Sequence, residues 1–410
     1  MKEILDWLYS QRRFSKKVGL ERTFNLLKEM DNPQNSFQSI IVGGTNGKGS
    51  TSSNLASILK QSGLKVGFFS SPHLSYFSER YLVDGKRLDN QKIKDALLYI
   101  KPLALKTDAT FFEISMALAC KLFADNNVNY AIMEVGVGGT NDATNVLEPV
   151  QSIITNIALE HTNVLGKTLT EIANKKAGIM RKNTTSFTAA SGEGLLALQK
   201  QAKIKQAELV SLQDYKIELL KSDWQSSKFK LTGFDVDLEL ETPLLGNYQL
   251  KNASLAALAA KELFIFDDDI KKGIRNTIWP ARLERISYKE RNFILDGAHN
   301  PAAIKELIIS LKDLKTTKLL LIFGSMKSKD IGAMLEPLAE ISKEYIFTQA
   351  TSYRAMPAQE LKKLTKIKSR YRTLVKDAVE LAIKSTKPNE KILVVGSLYL
   401  MGEVRPLIIV

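Results

Sequence analysis

The chain has 410 residues, too many for one ordinary hydrophobic core, so two domains are the starting expectation. Its 44% hydrophobic and 25% charged residues exclude a disordered chain, and its formal charge of +14 favours anionic partners such as nucleotides, polycarboxylates or nucleic acid. The single cysteine, Cys120, excludes an intrachain disulfide and a multi-cysteine metal site. Lysines are spread along the whole chain, and the densest group, Lys362, Lys363, Lys366 and Lys368, lacks interleaved aromatics. That pattern reads as solvated surface, with no nucleic-acid partner expected. Charges stand where a signal peptide needs its apolar segment, and no apolar run is long enough to span a bilayer. A cytoplasmic protein with no membrane partner is the expectation.

In chain order, residues 1–36 read as an amphipathic helix, a loop containing Gly19-Leu20-Glu21-Arg22, a short helix through Leu26 and Leu27, and a turn at Asn32-Pro33. An apolar strand from near Phe37 then enters Gly43-Gly44-Thr45-Asn46-Gly47-Lys48-Gly49-Ser50-Thr51, with a helix predicted from Ser53 to Lys60. A strand, a glycine turn bearing one lysine, and a helix start form a cradle for phosphates, because glycine lets backbone N–H groups approach an anion. The spacing is a variant of the P-loop: Val42 stands where the first glycine is required, and Gly49 separates Lys48 from Ser50. Lys65 to Phe69 is a second strand, ending in Ser70-Ser71-Pro72-His73; such strand ends hold ligands in open α/β sheets. Helices are predicted at about 90–105 and 110–126. Strands follow at Tyr130 to Val135 and Ser152 to Ile157, the first with Glu134 near its end and the second leading to Glu160-His161-Thr162. Strands alternating with helices predict a mostly parallel sheet.

From Tyr215 to Leu244 the alternation has period two, as in Asp235-Val236-Asp237-Leu238-Glu239-Leu240, which predicts an antiparallel hairpin or small accessory sheet. An alanine-rich helix runs from about Gln249 to Leu263, and Trp279-Pro280-Ala281-Arg282 marks the domain boundary, giving domains 1–281 and 282–410. Beyond it the α/β pattern restarts. Strands are expected at Asn292 to Asp296 and near 318–324, 344–348 and 391–396, with helices near 301–312, 328–341, 357–366 and 376–385. The fold class is therefore α/β: an N-terminal P-loop-type ATPase domain and a smaller Rossmann-like C-terminal domain.

The three histidines, His73, His161 and His299, all fall at element ends beside polar groups. Magnesium takes oxygen ligands and phosphate, and could be met by Glu134 with a serine hydroxyl, His161 serving as a less usual nitrogen ligand. Asp296, in Asp296-Gly297-Ala298-His299-Asn300-Pro301, fits an Asx turn before a helix as well as it fits a site.

Taken together, Gly44 to Ser50, Ser70-Ser71-Pro72-His73-Leu74, Glu134 to Gly139 with Asp142-Ala143-Thr144-Asn145, Glu160-His161-Thr162 with Leu165-Gly166, Lys176-Ala177-Gly178-Ile179 and Asp296 to Pro301 occur in the order of the folylpolyglutamate synthase and dihydrofolate synthase family, a branch of the Mur ligases, which the chain resembles over nearly its whole length. The likeness also takes in Gly19 to Arg22 and Gly396-Ser397-Leu398-Tyr399. It implies an ATP-dependent amide ligase using Mg²⁺, with dihydropteroate or folate and L-glutamate as small-molecule substrates, in a monomer. By the same likeness Thr45, Asn46, Gly47 and Lys48 contact ATP phosphates, and Asn252, Arg282 and Asp296 match other ATP-contacting positions. Ser71, Glu134 and His161 match metal ligands. Lys176 matches a lysine carried as a carbamate, Thr110, Asn141 and Asp142 match the pterin region, and His299 lies near ATP or the incoming glutamate; Lys48, Lys176 and His299 are thereby the catalytic candidates.

Three positions depart from the family pattern: Thr140-Asn141 replaces an arginine-leucine pair, Glu160 replaces an aspartate, and Lys175 replaces a glutamate. Two other readings stand beside the leading one. The first is a Mur-type ligase for a different carboxylate acceptor; the second is a nucleic-acid-binding ATPase, suggested by charge alone.

Overall fold

A computed structural model describes residues 1–12 and 19–409. The stretch 13–18 of the predicted first loop lies outside the described residues.

An eight-stranded sheet dominates the first 211 residues. In spatial order its strands are Lys86–Arg87, Tyr81–Val83, Val66–Phe69, Tyr130–Glu134, Gln38–Gly43, Pro149–Ile154, Thr185–Thr188 and Glu208–Ser211. All neighbours are parallel except the pairings made by the two short strands at the first edge. The central strand carries Ile40-Ile41-Val42 with every side chain buried, as a strand covered on both faces requires. Alternation sends Ile41 into a core with Phe69, Met133 and the helices Asn90–Lys106 and Phe111–Asp125. Ile40 and Val42 point the other way, into a core with the helices Lys48–Gln61, Asn247–Glu262 and Asp267–Arg275. That second core continues through Phe229, Leu231, Leu238 and Leu240 of an antiparallel sheet. The expected accessory element is this sheet, with three strands, Lys216–Ser222, Ser227–Gly233 and Val236–Thr242.

After Leu283 a second sheet forms, in the spatial order Glu284–Tyr288, Arg291–Asp296, Lys391–Val395, Leu319–Phe323, Ser342–Phe347 and Ser369–Tyr371. Only its first pairing is antiparallel. Strands after Leu319–Phe323 first run outward, then return on its other side, so a crevice opens at the carboxyl ends beside Gly324 and Gly396. This is the expected second α/β unit.

Boundaries moved where capping chemistry intervened. The helix expected from Ser53 begins at Lys48 behind the left-handed Gly47, and that expected from 328 begins at Ile331, where Asp330 accepts the Ala333 N–H. Among the described residues no helix is long and apolar enough to cross a membrane.

Candidate active site

The strand ending at Gly43 and the helix starting at Lys48 leave four residues to turn the chain. Gly44 and Gly47 have φ of +127° and +86°, and a Cβ on either would run into Thr155 or Asn252 respectively. The turn is held from the neighbouring strand's end: Asn156 takes the Asn46 N–H on its side chain (2.9 Å) and the Thr45 N–H on its carbonyl (3.0 Å). Lys48 folds over this turn, its Nζ donating to the carbonyls of Gly44 (3.2 Å) and Thr45 (3.1 Å). Asn252 stands over Gly47 and donates to Gln249, which donates to Ser50 on the helix.

Lys176 approaches from beneath. It is buried, and its Nζ donates to the Gly44 carbonyl at 2.7 Å, so two ammonium groups converge on one oxygen. Burial first, and Lys48 second, bring its pKa down to about 7. Glu134, at the end of its strand, accepts the Ser71 N–H (3.0 Å) on Oε2, while Oε1 has no hydrogen-bond partner among the described residues. Burial pushes this carboxyl above its usual range, against the pull of Lys48, the Ser71 N–H and two arginines. His161 takes a left-handed backbone (φ +51°) at the start of a four-residue helix, and desolvation chiefly lowers its pKa.

The second unit closes the site from the other side. Asp296 is buried and accepts N–H bonds from Leu283 (2.9 Å) and Ala298 (2.8 Å), tying the segment carrying Arg282 to the turn carrying His299. Burial raises its pKa although Arg282 opposes the shift. Asn300 caps the next helix through Oδ1 and uses both amide hydrogens toward the first unit, to Asn46 (2.9 Å) and Glu160 (3.2 Å). Lys329 also reaches Glu160, at 2.9 Å. Desolvation would raise the Glu160 pKa, but His299, Lys329 and Lys48 together hold it far below the usual carboxylate range.

Between the units lies a cleft of about 700 Å³. Thr45, Asn46, Gly47, Lys48, Ser71, Glu134, His161, Arg282 and His299 all line it; Lys176, Asn252 and Asp296 stand immediately behind that lining through the bonds just given. The pterin-region candidates do not line it. Thr110 caps the helix Phe111–Asp125 in a reciprocal box with Glu113. Asp142 is buried, with one oxygen on the N–H groups of Gly136 and Val137 and the other on Thr144, so its carboxylate braces the loop after Glu134. Asn141 is exposed on that loop. His73 lines the cleft but accepts from Arg80 at 2.8 Å, and burial followed by Arg80 brings its pKa to about 3. Asn156 and Lys329 escaped the sequence reading; the only hint of Asn156 was a polar pair, Thr155-Asn156, at a strand end.

A phosphate-type glycine turn in one α/β unit, facing a second α/β unit across a cleft, is the build of a Mur ligase. Residues 42–260 match the Mur ligase middle domain, and residues 281–398 match the Mur ligase glutamate ligase domain. Within that class the chain belongs to the folylpolyglutamate synthase and dihydrofolate synthase family. It is 32% identical to the folylpolyglutamate synthase of Lacticaseibacillus casei over 98% of this chain and 97% of that one. It is likewise 32% identical to the dihydrofolate synthase/folylpolyglutamate synthase of Bacillus subtilis, over 97% of each. It spans 50% of a Haloferax volcanii relative named a probable bifunctional folylpolyglutamate synthase/dihydropteroate synthase. Among solved structures, Thermotoga maritima folylpolyglutamate synthase superposes with a TM-score of 0.87 at 30% identity, covering 99% of this chain and 96% of that one. The Mycobacterium tuberculosis folylpolyglutamate synthase complexed with ADP and AMPPCP gives 0.90 at 25% identity, covering 99% and 98%.

Proposed function

We propose that this protein is an ATP-dependent amide ligase that joins L-glutamate to dihydropteroate and to the γ-carboxyl of folates. The observation that carries the reading is the single cleft in which the glycine turn with Lys48, the group Ser71, Glu134 and His161, and the second unit's Arg282 and His299 face one another. In the proposed reaction the acceptor carboxylate attacks the γ-phosphate of ATP, giving an acyl phosphate and ADP. The amine of glutamate then displaces phosphate. Such chemistry needs in-line positioning and charge neutralisation more than a nucleophilic side chain, which suits Lys48 and the loop N–H groups.

Magnesium fits the donors present. The set is a carboxylate with one oxygen free of hydrogen bonds among the described residues, a hydroxyl and an imidazole, a small complement for an ion that completes its shell with water and phosphate. Ser71, Glu134 and His161 would hold it, and when bound it neutralises charge on the phosphates. Asn252 serves the nucleotide from beside the glycine turn, Arg282 and Asp296 serve it from the side of the second unit, and His299 serves the transferring group or the glutamate. Lys176, its pKa brought down to about 7 by burial and Lys48, gives up its proton far more readily than an ordinary lysine, as forming a carbamate requires. Thr110, Asn141 and Asp142 act on the acceptor through the loops they shape. The division between the catalytic units falls at 281/282.

With Mg²⁺, ATP and L-glutamate, the purified protein is expected to release ADP when either dihydropteroate or tetrahydrofolate is added. No release with either acceptor overturns the reading.

A further inference from the structure

One lysine–carboxylate ion pair among the described residues crosses from the first unit to the second, Lys329 Nζ to Glu160 Oε1 at 2.9 Å, and His299 Nε2 lies 3.4 Å from the same oxygen, a pair that is ionic when the imidazole is protonated. The same oxygen also accepts the Asn300 amide at 3.2 Å, whose second hydrogen goes to Asn46 in the glycine turn at 2.9 Å. Other polar contacts between the units are of a different kind: a hydroxyl on a carbonyl where Ser75 meets Gly402 (2.8 Å), an amide on an exposed carboxylate where Asn247 meets Asp313 (3.1 Å), and the Arg285 and Lys391 cations over the Trp224 ring (5.4 and 4.8 Å).

We propose that Glu160 is a positioning residue, an electrostatic latch that holds the second unit's His299, Asn300 and Lys329 against the glycine turn. The side chains of Glu160 and Lys329 are only 11% and 17% exposed, so solvent screens the pair poorly. A surface ion pair of ordinary exposure is worth little, but removing one member of a desolvated pair leaves its partner charged and unpaired. Here the loss is felt by the Lys329 ammonium and the Asn300 amide at once, with His299 Nε2 beside them. Because Asn300 shares its amide between Glu160 and Asn46, loosening the latch also weakens the second unit's hold on the turn that carries Lys48. The carboxylate acts through these neighbours on the geometry of the cleft.

The test has a structural arm that needs no assumption about the reaction and a kinetic arm that rests on the proposed ligase activity. In the first, small-angle scattering of the unliganded full chain compares the wild type with Glu160→Gln, Lys329→Met and the double variant. Each single substitution is expected to enlarge the radius of gyration, and the double variant to enlarge it no further. Glu160→Asp keeps the charge and should stay closer to the wild type, and Lys329→Met carries the comparison where circular dichroism shows Glu160→Gln unfolded. In the kinetic arm, Glu160→Gln should lower kcat by about 10²-fold, the scale of a displacement of about 1 Å in the reacting groups, and Glu160→Asp should recover part of the loss. Scattering unchanged in both single variants, or effects that add in the double variant, overturns the latch. So does a Mg²⁺ titration shifted by Glu160→Gln with scattering unchanged, since that would assign the carboxylate to the metal site.

Discussion

Lys48 and Lys176 illustrate how much of the site's behaviour is set by single side chains. Lys48 donates its ammonium to two carbonyls of its own turn, which keeps the charge over the cradle it would serve. Lys48→Ala should leave the circular dichroism spectrum unchanged and cut ADP release by about 10²- to 10³-fold, the usual cost of losing one well-placed charge-stabilising donor; near-normal turnover would remove the turn from ATP binding. Glu134→Gln takes away a charged oxygen and should shift the Mg²⁺ titration of activity to higher concentration, whereas an unmoved titration would exclude it from the metal site. Lys176 makes a prediction about stability. Its folded pKa of about 7 lies below the ordinary 10.5, so between those values the unfolded chain binds more protons and stability rises with pH. In carbonate-free buffer the melting temperature of the wild type should therefore climb relative to Lys176→Met across that window. Parallel curves would show that the amine is not desolvated as the fold places it.

At the scale of elements, the glycine turn is the most constrained segment of the first unit. Gly44→Ala would force a side chain into φ +127° and onto Thr155, a strain of about 1–3 kcal/mol in denaturant unfolding, accompanied by loss of nucleotide binding. Wild-type stability and affinity in that variant would contradict the packing. The turn was legible because its glycines and lysine follow an unbroken apolar strand. Its helix was not legible to its true start, since Ser50 to Ser53 look like loop until their burial against the Ala-rich helix and the hinge is known. Thr185–Thr188 was missed for a related reason. It is a buried strand made largely of hydroxyl residues, paid for by internal bonds such as Ser152 to Ser186 at 2.8 Å and Thr188 to the Ile154 carbonyl at 2.7 Å. The helix Asp267–Arg275 has only Ile270 and Ile274 as buried apolar anchors, too few for periodicity to stand out. In the site, the side chains that face the cleft from strand ends were readable by type and position. Asp142 and Thr110 were readable only by resemblance, and their hydrogen bonds show why residue type misleads: each spends its polar atoms on shaping a loop or helix start. Lys329 could not be found at all, because its meaning depends on a partner 169 residues away.

For the whole molecule, the excess of positive charge bears on acceptor choice. A formal charge of +14 attracts any polyanion, but the cleft gives that field a place to act: its rim includes the exposed side chains of Lys60 and, on the edge strand separated by three strands from the one that enters the glycine turn, of Lys86 and Arg87. If both proposed acceptors are used, they differ where this field acts. Dihydropteroate carries one carboxylate, which must sit at the reacting phosphate, whereas each γ-linked glutamate on a folate adds one further carboxylate to a tail that extends from that point. Interactions of such exposed charges are largely screened beyond about 10 Å at 0.1 M salt. The KM for a glutamylated tetrahydrofolate should therefore rise with ionic strength, more steeply for longer tails, while the KM for dihydropteroate changes less. Replacing Lys86 and Arg87 together by alanine should flatten the slope for the glutamylated acceptors and leave turnover at saturating acceptor close to the wild type. Equal slopes for the two acceptors, or slopes untouched by the double replacement, would mean that the tail does not pass along this rim and that the basic charge plays no part in choosing the acceptor.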